Sequence, residues 1–108
     1  MRRIIVGMYT RLWTTGYDVA RKDELDAFAD QVSGPMFDQL PGCLGYIHAS
    51  TDERWITQTF WESESDIRLA EESSVYQDVV ARILDAGFLR GAQTTDVLEV
   101  TSYAPPLD

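Results

Sequence analysis

Apolar and polar residues alternate most clearly over residues 41–63, and the pattern predicts two antiparallel strands joined by a tight turn, with a helix after the second strand. We place the polar pair Asp52-Glu53 at the centre of the turn. This choice fixes the register, because side chains on paired strands face one another in a fixed order. The predicted cross-strand pairs are Thr51–Arg54, His48–Thr57, Tyr46–Thr59 and Leu44–Trp61.

One face of this hairpin mixes aromatic rings, hydroxyls and an imidazole. Its members are Leu44, Tyr46, His48, Trp55, Thr57, Thr59 and Trp61. Buried polar groups need hydrogen-bond partners, so a solidly packed core seldom has this mixture, whereas the wall of a small-molecule pocket does. The prediction depends on the register, because a shift of one residue exchanges the two faces. The opposite face carries Cys43, Gly45, Ile47, Ala49, Ile56, Gln58 and Phe60.

The chain before the hairpin predicts one strand and one helix. Residues 3–13 are rich in β-branched and aromatic types and predict a strand that ends at Thr14-Thr15-Gly16, with Tyr9, Arg11 and Trp13 on one face. A helix is predicted to begin between residues 18 and 23 and to be interrupted at Pro35, which cannot donate a backbone hydrogen bond. Its apolar stripe is Leu25, Phe28, Ala29, Val32 and Met36.

The chain after the hairpin predicts two more helices and a strand. Ser63 is expected to cap the second helix, in which Ile67 and Ala70 are buried. Ser74 and Gln77 have the spacing of a capping box that opens the third helix, and Gly87 is expected to end it. The apolar side of that helix is Val75, Val79, Val80, Ile83 and Leu84. A loop over residues 88–94 and a last strand over residues 95–103 follow, and residues 104–108 form a short tail.

This order predicts a single α+β domain over residues 1–108, with a split β-α-β-β-α-β arrangement and the second helix broken in two. An antiparallel sheet covered by helices on one side leaves its other face bare. The bare face of the hairpin would expose Cys43, Ile47, Ala49, Ile56 and Phe60. A soluble monomer rarely exposes such a patch, so we expect a homodimer in which the two sheets face each other.

Composition narrows the choice of partners. The 108 residues carry a net charge of −9, which argues against nucleic acid and anionic membrane as partners. The single cysteine, Cys43, suits a reducing cytoplasm and is interpreted as a small buried hydrophobe. The apolar run over residues 4–8 is too short for a signal peptide or a membrane span, so a cytoplasmic location is expected.

Standard catalytic motifs are absent from the sequence: it has no glycine-rich phosphate loop, no paired cysteine or histidine metal site and no nucleophile elbow. His48 is the only histidine and thus the only side chain whose ordinary pKa suits proton transfer near neutrality. The sequence alone favours the other interpretation, a hydrogen-bonded or half-exposed polar residue near a turn. Trp61 has two interpretations as well, a pocket wall or a core residue under a helix, and Arg82 either reaches into a cavity or lies on its rim.

A resemblance to the antibiotic biosynthesis monooxygenase family is carried by two runs, PGCLGYIHASTDERWITQTFWESESDIR and SSVYQDVVARILDAGFLRG. It covers most of the chain and implies a dimeric ferredoxin-like α+β barrel. HASTD at residues 48–52 and WES at residues 61–63 resemble the branch that oxidises aromatic polyketides to quinones without a cofactor or metal. The resemblance disfavours the haem-degrading branch. That branch takes an iron-ligating histidine from the third helix, which has none here, and its catalytic asparagine and tryptophan are replaced by Thr10 and Ala70.

The resemblance implies a small hydrophobic aromatic substrate, dioxygen and a set of site residues. His48, Trp61 and Arg82 would be catalytic. Substrate-binding positions would be Tyr46, Thr57, Thr59 and Ile67, of which Thr57 stands in place of an asparagine and Ile67 in place of a tyrosine. Two other functions stay open: a polyketide cyclase or isomerase that uses the same cavity, and a dimeric module that binds a metabolite without catalysis.

Overall fold

The computed structural model describes residues 3–4 and 7–104. Two strands of the described chain form a small sheet of their own, β1 (Arg3–Ile4) and β6 (Ser102–Tyr103). Residues 5 and 6 of the predicted first strand and residues 105–108 of the predicted tail lie outside the described residues. The other elements are β2 (Tyr9–Tyr17), α1 (Lys22–Phe28), α2 (Gly34–Gln39), β3 (Cys43–Ser50), β4 (Arg54–Trp61), α3 (Glu64–Glu72), α4 (Ser74–Asp85) and β5 (Leu89–Glu99).

The main sheet has the strand order β3-β4-β2-β5, and all its neighbours are antiparallel. This is the ferredoxin-like order, in which the two β-α-β units interleave and the central strands are the first and third of the four. The helices cover one face of the sheet. The predicted α+β class and split arrangement are therefore confirmed.

The first long strand differs from its prediction. Strand β2 begins at Tyr9 and not at residue 3, because Arg3–Ile4 pair with Ser102–Tyr103 in the small sheet. It runs to Tyr17 and includes Thr14, Thr15 and Gly16, which were expected to end it. Threonine is β-branched and suits a central strand, so the strand stays paired with both neighbours, with a register shift on the β5 side between Thr14 and Gly16. Gly16 marks a close approach between strands, because a Cβ atom there would lie 2.5 Å from the carbonyl oxygen of Arg90 on β5.

The hairpin has the predicted register near its turn. His48 pairs with Thr57 and Tyr46 pairs with Thr59. The predicted pair Leu44–Trp61 is wrong, because an irregularity between residues 43 and 45 shifts the register and Cys43 pairs with Trp61 instead. An extra residue in one strand reverses the alternation beyond it.

The register shift exchanges the surroundings of two side chains. Cys43 packs on the helix side of the sheet against the cluster that contains Trp61, whereas Leu44 is 50% exposed. The predictions that Cys43 lies on the bare face and Leu44 on the helix side are therefore wrong. Burial raises the pKa of the Cys43 thiol, as expected for a small half-buried hydrophobe.

The helices follow the predicted pattern with local corrections. Asp18 caps a 3-10 turn (Val19–Arg21) before α1, and a π-helical segment (Ala29–Ser33) joins α1 to α2 just before Pro35. Ser63 caps α3, as predicted. The cap of α4 is Ser73 rather than Ser74, because the Ser73 hydroxyl accepts from the amide of Tyr76.

The end of the chain also corrects two expectations. Ile83 is buried, but Val75 and Leu84 are 42% and 52% exposed, so the apolar side of α4 is narrower than predicted. Gly87 has a φ of +75° and ends the helix as expected. Strand β5 is Leu89–Glu99, so most of the predicted loop over residues 88–94 belongs to the sheet. The predicted last strand over residues 95–103 ends early, because Ser102–Tyr103 form the separate strand β6.

The face of the sheet opposite the helices is partly apolar. Ile56 and Phe60 are half-buried on this face, and Ile47 and Leu98 are 37% and 51% exposed. Leu98 pairs with Thr10, which pairs with Phe60, so these side chains share one side of the sheet. We call this surface the open face.

We predict that two copies associate through the open face, because burying it removes apolar surface from water. Light scattering at micromolar concentration should give twice the chain mass of 12.2 kDa. Ile47→Glu should shift the protein toward the monomer, since it places a charge in the contact. Leu69→Glu is the matched control, because Leu69 is 65% exposed on α3. A wild-type mass of one chain would contradict the prediction.

Candidate active site

A cavity of about 210 Å³ lies between the helices and the main sheet. Its walls come from β2, β3, β4 and β5 on one side and from α1, α2, α4 and the π-helical segment on the other. Leu84 and Gln93 line it and are exposed, so the cavity opens to the surface between α4 and β5. The polar lining residues are Arg11, Ser33, His48, Thr57, Tyr76, Gln93 and Thr95.

The cavity lies where the core divides. The buried apolar residues form two clusters, one around Leu25, Trp55 and Ile83 and the other around Met36, Phe37 and Trp61. Members of both clusters line the cavity. Packing on either side therefore supports a hollow that neither cluster fills.

His48 lies on β3 within a group of aromatic rings. Its ring centroid is 5.1 Å from that of Tyr46, 5.7 Å from that of Trp55 and 6.4 Å from that of Phe37. These neighbours bury the imidazole and lower its pKa, because a charged ring loses hydration there. The ring is therefore neutral at neutral pH. Its Nε2 atom is buried and has no hydrogen-bond partner among the described residues.

Thr57 joins His48 to the cavity. Its Oγ1 atom lies 3.1 Å from His48 Nδ1 and accepts a hydrogen bond of 3.2 Å from the indole Nε1 of Trp55. A threonine hydroxyl has one proton and two lone pairs. If that proton is donated to Nδ1, one lone pair holds the indole and the other is free for a ligand in the cavity.

Trp61 lies on the same face but in a different environment. Its indole is 2% exposed and donates a 2.7 Å hydrogen bond to Thr59 Oγ1. Thr59 and Ile67 are buried around it, at 1% and 2% exposure. Trp61 and Ile67 belong to the second core cluster, and Thr59 is bonded to Trp61. None of the three is among the described residues that line the cavity.

The remaining predicted site residues lie at the edges. Tyr46 packs against Phe37 and His48 and lines a second groove, which His48 and Trp55 also border. Arg82 is exposed on α4, with its guanidinium 5.9 Å from the ring centroid of Phe28, which lines the cavity. Arg82 therefore lies on the rim. Of the predicted set, His48 and Thr57 line the cavity itself.

Sequence reasoning missed Arg11 as a site residue. Arg11 is 8% exposed and lines the cavity. Its Nε donates to Glu71 Oε2 at 3.0 Å, and its Nη2 donates to the hydroxyl of Tyr76 at 2.9 Å. A signal was present, because the alternation of β2 placed Arg11 beside Trp13 on one face. Trp13 and Thr95 also line the cavity, and they pair across β2 and β5.

The described residues contain neither a metal-binding cluster nor a membrane-spanning helix. No group of three or more histidine, cysteine, aspartate or glutamate side chains there is arranged to hold a metal ion. Across the same residues, no helix has the length and apolar character needed to cross a membrane.

Solved structures share this fold. The chain is similar to a protein from Caulobacter crescentus provisionally described as an antibiotic biosynthesis monooxygenase, with 15% identity and a TM-score of 0.75 over 91% of this chain and 93% of that one. It is similar to a protein of unknown function from Nitrosomonas europaea, with 10% identity and a TM-score of 0.73 over 92% and 94% of the two chains.

A third similar structure is a variant of SnoaB, a cofactor-independent oxygenase from Streptomyces nogalater. The identity is 14% and the TM-score 0.71, over 94% of this chain and 99% of that one. Neither family models nor curated proteins match the sequence. The resemblance to antibiotic biosynthesis monooxygenases is thus confirmed as a shared fold.

We predict that His48 makes stability depend on pH. Its pKa is lowered from the ordinary 6.5 in the folded protein, so the unfolded chain binds the proton more tightly. This contribution to stability is present above pH 6.5 and is lost as pH falls through the folded pKa. The free energy of unfolding, measured in urea, should fall more between pH 7.5 and 5.5 for the wild type than for His48→Gln. Equal pH dependence in the two proteins would contradict the prediction.

Proposed function

We propose that the protein is a cofactor-independent monooxygenase that oxidises an electron-rich phenol or anthrone with dioxygen to a quinone. The observation that carries the proposal is the cavity in which Thr57 connects a half-buried imidazole of lowered pKa to an aromatic enclosure. The shared fold with an oxygenase that works without a cofactor supports it. For this chemistry the protein must bind the substrate, deprotonate it and exclude water from the site.

The cavity suits a flat aromatic ligand. Trp13, Trp55, Phe28, Phe37 and Tyr76 present rings to it. Aromatic pairs in offset or edge-to-face arrangements gain ~0.5–1.5 kcal/mol beyond the burial of their area. The volume of about 210 Å³ is below the ~300–1,000 Å³ of most ligand pockets. A ligand of one or two rings therefore fits without rearrangement, and a larger one needs the mouth beside Leu84 to widen.

The proton would leave the substrate through Thr57. The free lone pair of Oγ1 accepts the proton of the substrate hydroxyl while the threonine proton moves to His48 Nδ1. The threonine ends unchanged, the imidazole becomes an imidazolium, and the substrate becomes an anion. This route uses Nδ1, since Nε2 is covered by its neighbours. Acid–base groups of this kind typically contribute ~10²–10⁴-fold to the rate.

The oxidation balances with the substrate as the only electron donor. The anion passes an electron to dioxygen, and the resulting radicals combine into a peroxide at a carbon of the ring system. The peroxide O–O bond then breaks. One oxygen atom stays as the new carbonyl, and the other leaves as water with the two hydrogens that the substrate loses. Dioxygen thus receives four electrons from the substrate, and the imidazolium proton goes to the leaving oxygen.

The other predicted residues receive supporting roles in this proposal. We assign Trp61, Thr59 and Ile67 to the packing that holds β4 in place behind the wall. Tyr46 limits the movement of the imidazole through its ring contact with His48. Arg82 contributes positive charge at the rim.

The test measures oxygen uptake and product together. Purified protein is incubated with 1-naphthol or anthrone in air-saturated buffer, with an oxygen electrode and absorbance detection of the quinone. We expect one dioxygen consumed for each quinone formed, at a rate well above that without protein. His48→Gln should lower the protein-dependent rate by about a hundredfold or more, since it removes the proton acceptor. Thr57→Val should have a similar effect, because it removes the relay.

Asp52→Asn, in the turn of the same hairpin, is the control and should keep the wild-type rate. Product formed without oxygen uptake would overturn the proposal in favour of a cyclase or isomerase. Ligand binding without any product would overturn it in favour of a binding module.

A further inference from the structure

Arg11 is a buried cation in the middle of the central strand β2. Its side chain is 10% exposed, while that of its ion-pair partner Glu71 is 39% exposed. Removing a guanidinium from water costs several kcal/mol unless its donors are satisfied. The Nε and Nη2 donors are satisfied by Glu71 and Tyr76.

The third guanidinium nitrogen, Nη1, donates no hydrogen bond to any described residue. Because Arg11 lines the cavity, this nitrogen is available to a group that enters it. Glu71 and Tyr76 fix the plane of the guanidinium, so the remaining donors have a defined direction.

Among the described residues that line the cavity, Arg11 is the only charged one, since the lowered pKa of His48 keeps its imidazole neutral. None of these lining residues is a carboxylate, although the chain as a whole carries a net charge of −9. The acidic surface repels anions in general. The cavity wall therefore carries one guanidinium, paired with Glu71 outside the lining, and no carboxylate that would repel an anionic ligand directly.

We propose that the ligand is an aromatic carboxylic acid whose carboxylate binds Arg11. A carboxylate accepts from guanidinium in a planar arrangement and gains a charge-assisted hydrogen bond. Arg11 pairs with Thr59 across β2 and β4, so Thr57 is its diagonal neighbour on the same face. Diagonal neighbours are ~7–8 Å apart. One flat ligand of one or two rings can thus reach Arg11 with its carboxylate and Thr57 with a hydroxyl.

This inference deepens the proposed function. The role given to the ligand hydroxyl rests on that function. It restricts the substrates to hydroxy-aromatic acids, oriented by Arg11 at one end and deprotonated through Thr57 at the other. The binding of the carboxylate does not depend on any oxidation.

The test compares two ligands of nearly the same shape by isothermal titration calorimetry at pH 7.5. The probes are 2-naphthoate, which is anionic, and 2-naphthamide, which is neutral. Wild type should bind the naphthoate roughly tenfold to a hundredfold more tightly, as expected for a hydrogen bond to a charged group. Arg11→Gln should lose this preference and still bind the amide. Arg11→Lys, which keeps the charge, should keep part of the preference.

Glu71→Gln separates a ligand-binding role from a structural one. It keeps an acceptor for Arg11 Nε but removes the neutralising charge, so affinity for the naphthoate should rise while affinity for the amide stays constant. Arg68→Gln is the matched control, because Arg68 pairs with Glu64 on the exposed side of α3. It should behave as wild type. If Arg11→Gln is unfolded by circular dichroism, the Glu71→Gln comparison still decides.

Equal binding of the two probes by wild type, or no effect of Glu71→Gln on the naphthoate, would overturn the assignment of Arg11. In either case oxygen uptake with neutral phenols could still succeed. Conversely, a carboxylate preference without oxygen uptake on any hydroxynaphthoate would support the binding site and refute the oxidation.

Discussion

The architecture of the site depends on two indole hydrogen bonds along β4. Trp55 donates to Thr57 and Trp61 donates to Thr59, each across two residues of the same strand face. A buried indole N–H needs an acceptor, and a buried hydroxyl needs a donor or acceptor, so each pair satisfies both requirements at once. The two large rings are thereby held over opposite ends of the strand, and each belongs to one of the two core clusters.

The division of the core explains why a cavity survives in a chain of this size. A single cluster would collapse over the centre of the sheet, because apolar contacts favour close packing. Here the sheet side of the cavity carries Arg11, Thr57 and His48, none of which packs as an aliphatic side chain. Specific partners hold these side chains in place: Glu71 and Tyr76 bind Arg11, and Thr57 bonds with both Trp55 and His48. The two clusters support the helices on both sides of them.

The polar groups of the cavity lie at two neighbouring positions. In the proposed reaction Thr57 and His48 transfer a proton at one position, and Arg11 binds the carboxylate at the other. The lowered pKa of His48 keeps the imidazole neutral, so it does not compete with Arg11 as a second cation. In the proposed reaction the two ends of the substrate are therefore distinguished by charge, which orients a flat molecule that apolar contacts alone would leave free to rotate.

The sequence by itself determined the elements and their order, because hydrophobic periodicity, helix caps and turn residues act over a few neighbouring positions. It thus predicted the α+β class, the His48–Thr57 pair next to the turn and the caps at Ser63 and Gly87. The tertiary structure alone decided the shift at Cys43, the enclosure of Trp61 and the place of Arg11 in the cavity wall. Each of these depends on contacts between residues far apart in the chain: the pairing with the end of β4, the packing of α2 and α3, and the carboxylate of Glu71. A local pattern places a side chain on a face, but the elements that meet that face decide whether it fills the core or lines a hollow.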